Sequence, residues 1–457
     1  MKRESIWGPN YRALTIGIIL VVTAAAFEGL AVTTIAPALA KELNGESLYG
    51  WVFSTYLLAQ LIGTVITGQL VDRSGAAKPF VFSLIIFGIG IVLAALSPNM
   101  IVFIISRFLQ GYGAGALVNC VYTAITLRYS DSLRPQILAV FSSAYILPGL
   151  IGPYVAGVIT EQLDWRYVFW LILPFVFISA LLTTPSFRGM NTALKSAQKL
   201  RVVPPVLLAV GTGIMITGLG MMPHLYGILL AVVGLITLVI PLRQLIPEGT
   251  FTARSGIPAI VASRGLFVAA YSGTQTYLVL ALTSVLGFTA DTAGLAVASA
   301  AISWSIAANL QAQRDKRDNG AGRKRRILVG LSFMIIGVSA AAPLAFIQDS
   351  GTALVVAIAS QIIVGFGIGL AHPTSAAIAF SYSKSGEEGK VSADLAVADT
   401  FTPAISIGVA GALITITETT GFSTELGITV SLAMQLLLVI VGIVAAVKLS
   451  RGVLAGK

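Results

Sequence analysis

Chemical material for catalysis is scarce in this chain. One cysteine and two histidines stand among 457 residues, and only 11% of positions are charged. A single thiol, Cys120, excludes an intrachain disulfide, and so few sulfur and imidazole donors leave no clustered metal ligands for metalloprotease or thiol chemistry. No cofactor is called for. Counting does not exclude a serine nucleophile; product formation without vectorial movement would mark one. The shortage of charge is matched by 56% hydrophobic residues, more than a soluble core can account for. These proportions describe an all-α polytopic membrane protein with lipid as its surroundings. A net charge of +10 would suggest nucleic acid in a soluble chain, but the basic residues here lie in short loops between apolar runs, where they act as orientation signals and lipid contacts.

Apolar stretches long enough to cross a bilayer of about 30 Å occupy 13–39, 48–71, 79–97, 100–127, 136–160 and 166–185, then a close pair at 203–222 and 224–242. Six more follow at 258–286, 290–310, 327–347, 351–380, 391–416 and 425–448. The expected architecture is fourteen spans in three parts: a six-helix half over 1–186, a basic linker with two extra helices over 187–256, and a second six-helix half over 257–457. The start of the chain imitates a secretory signal, with Ala38-Leu39-Ala40 resembling a cleavage site. Its apolar run is too long for that role and contains an acid, so a retained first helix is expected.

Charge and repetition support this layout. With the N-terminus inside, all of the 29 Lys and Arg except Lys41, Arg166, Arg107 and Arg264 fall on the cytoplasmic side, seven of them between Arg314 and Arg326. Both termini are then cytoplasmic. Ser106, Gly111, Gly113 and Gly115 recur at the same spacing as Ser360, Gly365, Gly367 and Gly369, which implies two homologous halves. GYGAGA and GFGIGL lack the spacing and the preceding strand of a dinucleotide fingerprint, and close helix packing explains them better.

Within the first run, Glu28 is about 20 Å along the helix from either flanking charge, Arg12 or Lys41, and so lies near the bilayer midplane. A charge there costs roughly 2.5 to 3.5 kcal/mol, so such an acid faces a cavity, finds a partner or takes up a proton. Arg107 is the matching cation of the fourth span. Burial favours a neutral carboxyl and a guanidinium alongside favours a charged one, so movement of Arg107 relative to Glu28 would switch a proton site. The alternative is a structural ion pair. The second half answers Arg107 with Gln361, and its first span contains no acid. Tyr271, Gln275, Tyr277, Trp304, Gln361 and His372 are its candidate substrate-cavity residues, against packing for the aromatics and a local hydrogen bond for the histidine. Arg264 and Asp399 form a second charged set, a salt bridge in preference to a second proton site, while Asp394 is expected nearer the interface, solvated or latch-like.

Several segments resemble a known superfamily. Gly68-Gln69-Leu70-Val71-Asp72-Arg73-Ser74-Gly75 is similar to the loop motif between helices 2 and 3 of major facilitator transporters, with Ala76 and Ala77 in place of the usual basic residues. Arg107-Phe108-Leu109-Gln110-Gly111-Tyr112-Gly113 resembles the helix 4 motif, whose arginine is associated with proton coupling. Pro148-Gly149-Leu150-Ile151-Gly152-Pro153-Tyr154-Val155-Ala156-Gly157 resembles the helix 5 antiporter motif, although Pro148 and Ala156 occupy positions more often held by glycine. Glu28 stands nine residues before Pro37, the acid-to-proline spacing of helix 1 in fourteen-span drug:proton antiporters, where the acid is usually Asp.

The resemblance implies the major facilitator fold, Glu28 and Arg107 as the proton-coupling residues, and Asp72, Arg73, Gly152 and Pro153 as the conformational switch. It implies a transporter that uses the proton gradient as its energy source, in a bacterial inner membrane, working as a monomer. The leading expectation is proton-coupled efflux of drugs or other amphipathic small molecules by alternating access. The alternatives are a dedicated proton-coupled exporter of an envelope lipid, siderophore or metabolite, and an uptake symporter.

Overall fold

Apolar runs of this length fold as helices because a bilayer offers no partner to a backbone N–H or C=O, and the helix satisfies both internally. In a computed structural model, which describes residues 5–130, 133–187, 202–383 and 388–449, the regular structure is helical throughout. The elements are α1 (Arg12–Glu42), α2 (Tyr49–Ser74), α3 (Ala77–Ala95), α4 (Met100–Arg128), α5 (Arg134–Ser143), α6 (Ile146–Gln162) and α7 (Arg166–Phe187). Then come α8 (Val203–Gly220), α9 (Leu225–Leu245), α10 (Ile257–Leu280), α11 (Ala290–Arg317), α12 (Arg323–Ala341), α13 (Ser350–Ser381), α14 (Glu388–Thr419) and α15 (Thr424–Val447).

Among the described residues thirteen helices are long and apolar enough to cross a membrane, one fewer than expected. The difference lies at the fifth span, which is divided into α5 and α6 at Ala144 and Tyr145. Pro148 accounts for the break: it has no N–H to give the Ala144 carbonyl, and its ring would press on that oxygen in a continuous helix. Neither piece alone reaches eighteen residues. The basic segment from Arg314 to Arg326 is also less of a loop than expected. Arg314, Lys316 and Arg317 occupy the last turn of α11, and Arg323 begins α12. Asp315 and Asp318 accept from Arg323 and Arg326 there, closing the turn with ion pairs.

The chain gathers into two units, Met1–Glu46 with Thr55–Val206, and Ser47–Ser54 with Leu207–Lys457. In the first, α1 packs on α6 and α7, and α3 packs on α4 and α7. In the second, α10 packs on α14 and α15, and α12 packs on α13 and α15, which is the same arrangement repeated. The repeated glycines explain how the neighbours come so close. A Cβ on Gly111 or Gly115 would run into the carbonyl of Tyr56 or Gln60 on α2; on Gly365 or Gly369 it would run into that of Ala300 or Trp304 on α11. Gly113 meets Phe87 of α3, as Gly367 meets Gly330 of α12. The second unit also holds the extra pair. α8 and α9 cross on Gly211, Gly218, Gly227 and Gly234, while Leu229, Val233, Ile236 and Ile240 leave α9 with an exposed apolar face suited to lipid.

Candidate functional site

In the first unit α1 and α4 bring two buried charges together. Glu28 is fully buried, Arg107 almost so, and the guanidinium Nη1 donates to Glu28 Oε1. Two further side chains, one of them itself anchored, hold the arginine in place. Nη1 also donates to Gln110 Oε1, at 2.7 Å and one turn along α4; the Gln110 amide donates to the Gly90 carbonyl of α3 at 3.2 Å. The guanidinium carbon lies 4.2 Å from the centre of the Tyr56 ring on α2, a cation–π contact. The second carboxylate oxygen, Glu28 Oε2, has no hydrogen-bond partner among the described residues. A buried carboxylate with one oxygen paired and the other bare is an incompletely neutralised charge, and the bare oxygen is where a proton is accepted at least structural cost.

The residues expected to serve a conformational switch lie on α6 and at the end of α2. The Cβ position of Gly152 on α6 is 3.4 Å from the ring of Phe27, the neighbour of Glu28 on α1, an ordinary packing distance at which a methyl group would also fit. Pro153 is buried within α6. Arg73 is half-buried at the end of α2 and Gly75 follows with φ of 76°, a left-handed conformation that glycine adopts without strain. The Asp72 side chain lies outside the described residues, as does the basic stretch from 188 to 201.

The second unit carries a larger polar cluster built from four helices. Arg264 of α10 faces Asp399 of α14 in a two-pronged pair, Nε to Oδ1 and Nη2 to Oδ2, both 2.7 Å. From α13, the His372 carbonyl and Ser375 Oγ accept from Nη1 at 2.9 and 2.8 Å, and His372 Nε2 lies 2.6 Å from Nη2. The His372 ring meets Trp304 of α11 edge to face at 5.4 Å, and Trp304 meets Tyr271 of α10 likewise at 5.2 Å. Gln275 donates to the Tyr271 hydroxyl at 2.7 Å. Thus four of the proposed cavity residues, Tyr271, Gln275, Trp304 and His372, are contiguous with Arg264 and Asp399. Tyr277 and Gln361 lie elsewhere. Tyr277 is fully buried and donates to the Ile407 carbonyl, and both amide atoms of the fully buried Gln361 lack partners among the described residues. Asp394, expected to be solvated or latch-like, is 7% exposed because α14 turns it inward.

Sequence reasoning missed Tyr56, Gln110 and Ser375. The spacing of Gln110 from Arg107 and of Ser375 from His372, one helical turn in each case, was the available signal. Nothing in the sequence linked Tyr56 to Arg107. Among the described residues no three His, Cys, Asp or Glu side chains gather as a metal site.

The model of the Major Facilitator Superfamily matches residues 17–406. The chain belongs to that superfamily. It is a secondary transporter of a small molecule, not an enzyme. Over 401 residues this major facilitator chain is 25% identical to the multidrug transporter protein MdtP of Bacillus subtilis (strain 168), covering 84% of this chain and 72% of that one. It is 29% identical to the multidrug efflux pump SdrM of Staphylococcus aureus (strain N315), over 38% of each chain. Among solved structures, an auto-inhibited POT family peptide transporter superposes with a TM-score of 0.67 at 15% identity, covering 94% of this chain and 96% of that one. That likeness is one of fold.

Proposed function

We propose that this major facilitator protein couples proton movement to the export of a dedicated small organic solute, such as a metabolite, by alternating access. The observation that carries the coupling is the Glu28–Arg107 pair, fully buried and with one carboxylate oxygen bare. A proton on Glu28 removes the charge that Arg107 neutralises, so protonation and release change what holds α1 to α4. The six-helix halves 1–186 and 257–457 would supply the two alternating bodies, with 187–256 carrying the accessory helices and Asp72, Arg73, Gly152 and Pro153 serving the switch. The Lys and Arg asymmetry supports cytoplasmic termini; the proposal places the protein in a bacterial inner membrane, working as a monomer.

A dedicated solute is favoured by the character of the second cluster. Its donors are fixed by hydrogen bonds from three helices, and a site with oriented polar groups discriminates strongly against solutes that leave them unpaired. Promiscuous sites instead rely on flexible, repacking surfaces. Multidrug efflux is the second reading, supported by the names of MdtP and SdrM at 25% and 29% identity. Export in preference to uptake rests on the antiporter-like helix 5. Purified protein in proteoliposomes with an imposed pH gradient tests the proposal: the solute should move opposite to the proton flow. Movement with the protons, or indifference to the gradient, would overturn it.

A further inference from the structure

We infer that Arg264 is the receptor for the carboxylate of an organic acid, and that Asp399 occupies the solute's place in this conformation. The inference rests on reading the chain as a carrier of a dedicated solute and names that solute's class. All five N–H groups of Arg264 are engaged, in two sets. Three go to α13, to the His372 carbonyl, Ser375 Oγ and His372 Nε2. The remaining two, on Nε and Nη2, go to Asp399. The first set anchors the guanidinium whether or not Asp399 is present. The second is a planar fork matched to any carboxylate.

The two partners of the fork differ in exposure. The Arg264 side chain is 5% exposed and that of Asp399 29%, so the aspartate is the more accessible member of the pair. His372, whose Nε2 lies 3.5 Å from Asp399 Oδ2, is 27% exposed. Because a guanidinium only donates, His372 Nε2 accepts from it, and the ring hydrogen is on Nδ1. The ring is then neutral and holds Arg264 in place without competing for its charge. Trp304 and Tyr271 extend the wall beside it with flat apolar faces.

Charge balance selects an anion over a cation. A cation drawing Asp399 away would strand a buried guanidinium without a counter-ion. An incoming carboxylate takes over the same two donors, Asp399 turns aside, and Arg264 remains paired throughout. The fork together with the aromatic wall fits an organic monocarboxylate with a flat or apolar body.

Thermal unfolding of the purified full-length protein in detergent tests this with matched acid and amide pairs: benzoate and benzamide, indole-3-acetate and indole-3-acetamide, octanoate and octanamide. Acids should stabilise the native protein and their amides should not. Asp399→Asn removes the competing carboxylate, so the acid concentration giving half the shift should fall about tenfold. The double variant Arg264→Gln with Asp399→Asn leaves no unpaired buried charge, and in it the selectivity for acids should vanish. If Asp399→Asn does not yield folded protein, the native protein against the double variant makes the same comparison. Equal stabilisation by acid and amide, no response to acids, or an acid response surviving in the double variant would overturn the assignment. Stabilisation by tetraphenylphosphonium that is lost in Asp399→Asn would replace it with a cation site. None of these outcomes bears on Glu28, whose part in coupling is read separately under a pH gradient.

Discussion

Helices α4 and α13 share a glycine skeleton yet carry different chemistry. Gly111 and Gly115 press against α2 where Gly365 and Gly369 press against α11, carbonyl for carbonyl. On that common frame the first half places Arg107 in a closed pair with Glu28, reached by no solvent. The second half places Gln361 at the matching position and moves its arginine to α10, where Arg264 meets a partly exposed aspartate. Duplication kept the packing because a Cβ at those glycines has nowhere to go. The polar positions were free to diverge, and they did so in burial: one charge pair is sealed, the other open on one side. A sealed pair suits a proton, which needs no room, and an open one suits a solute.

The largest effect that sharpens this contrast should come from Arg107→Ala. It strands Glu28 in a buried site and should cost about 3–5 kcal/mol of stability, whereas Gln361→Leu, which removes two unpartnered buried atoms, should be neutral or stabilising; unfolding in detergent reads both. A costly Gln361→Leu would show that the second half keeps a hidden partner there. Next in size, Gly111→Ala and Gly365→Ala should each cost about 1–3 kcal/mol by overpacking, and nearly equally. Unequal costs would break the claim of a shared skeleton. Ser375→Ala, which removes one acceptor from Arg264, should cost about 1 kcal/mol in the same assay and should leave proton-driven transport in place.

The smallest effect should come from the turn after α11. The hydrogen bond from Arg326 holds the Asp318 carboxyl below its ordinary value. A depressed carboxylate contributes stability above its unfolded pKa, about 3.9, and loses it as pH falls through the lower folded value. The native protein and Asp318→Asn should therefore differ slightly at neutral pH and converge in acid, as pH-dependent unfolding would record. A gap that widens in acid would mean that the pairing does not govern this turn.

The spans were legible because apolar length is a strong signal, and the halves because the glycines repeat at fixed spacing. The break within the fifth span was not, since Pro148 reads equally as a kink or as part of a motif until its missing N–H is set against Ala144. Glu28 and Arg107 stood out as costly charges, and the structure places them in contact; their role in coupling remains the proposal made above. The second cluster was only half legible. Tyr271, Trp304, His372 and Asp399 come from four helices, and without knowing which face of each turns inward, Tyr277 and Gln361 looked equally suitable. Arg264 and Asp399 read as a pair by themselves because the link through His372 and Ser375 crosses to a third helix.

The division of labour between the halves is tested most directly by one paired transport measurement. Glu28→Gln and Asp399→Asn would be compared in inverted vesicles, with and without an imposed pH gradient, against the matched acids and amides. The account predicts that Glu28→Gln loses gradient-driven accumulation but keeps exchange of solute across the membrane, while Asp399→Asn keeps the response to the gradient and changes which solutes are carried. Full gradient-driven accumulation in Glu28→Gln, or loss of the gradient response in Asp399→Asn alone, would contradict it.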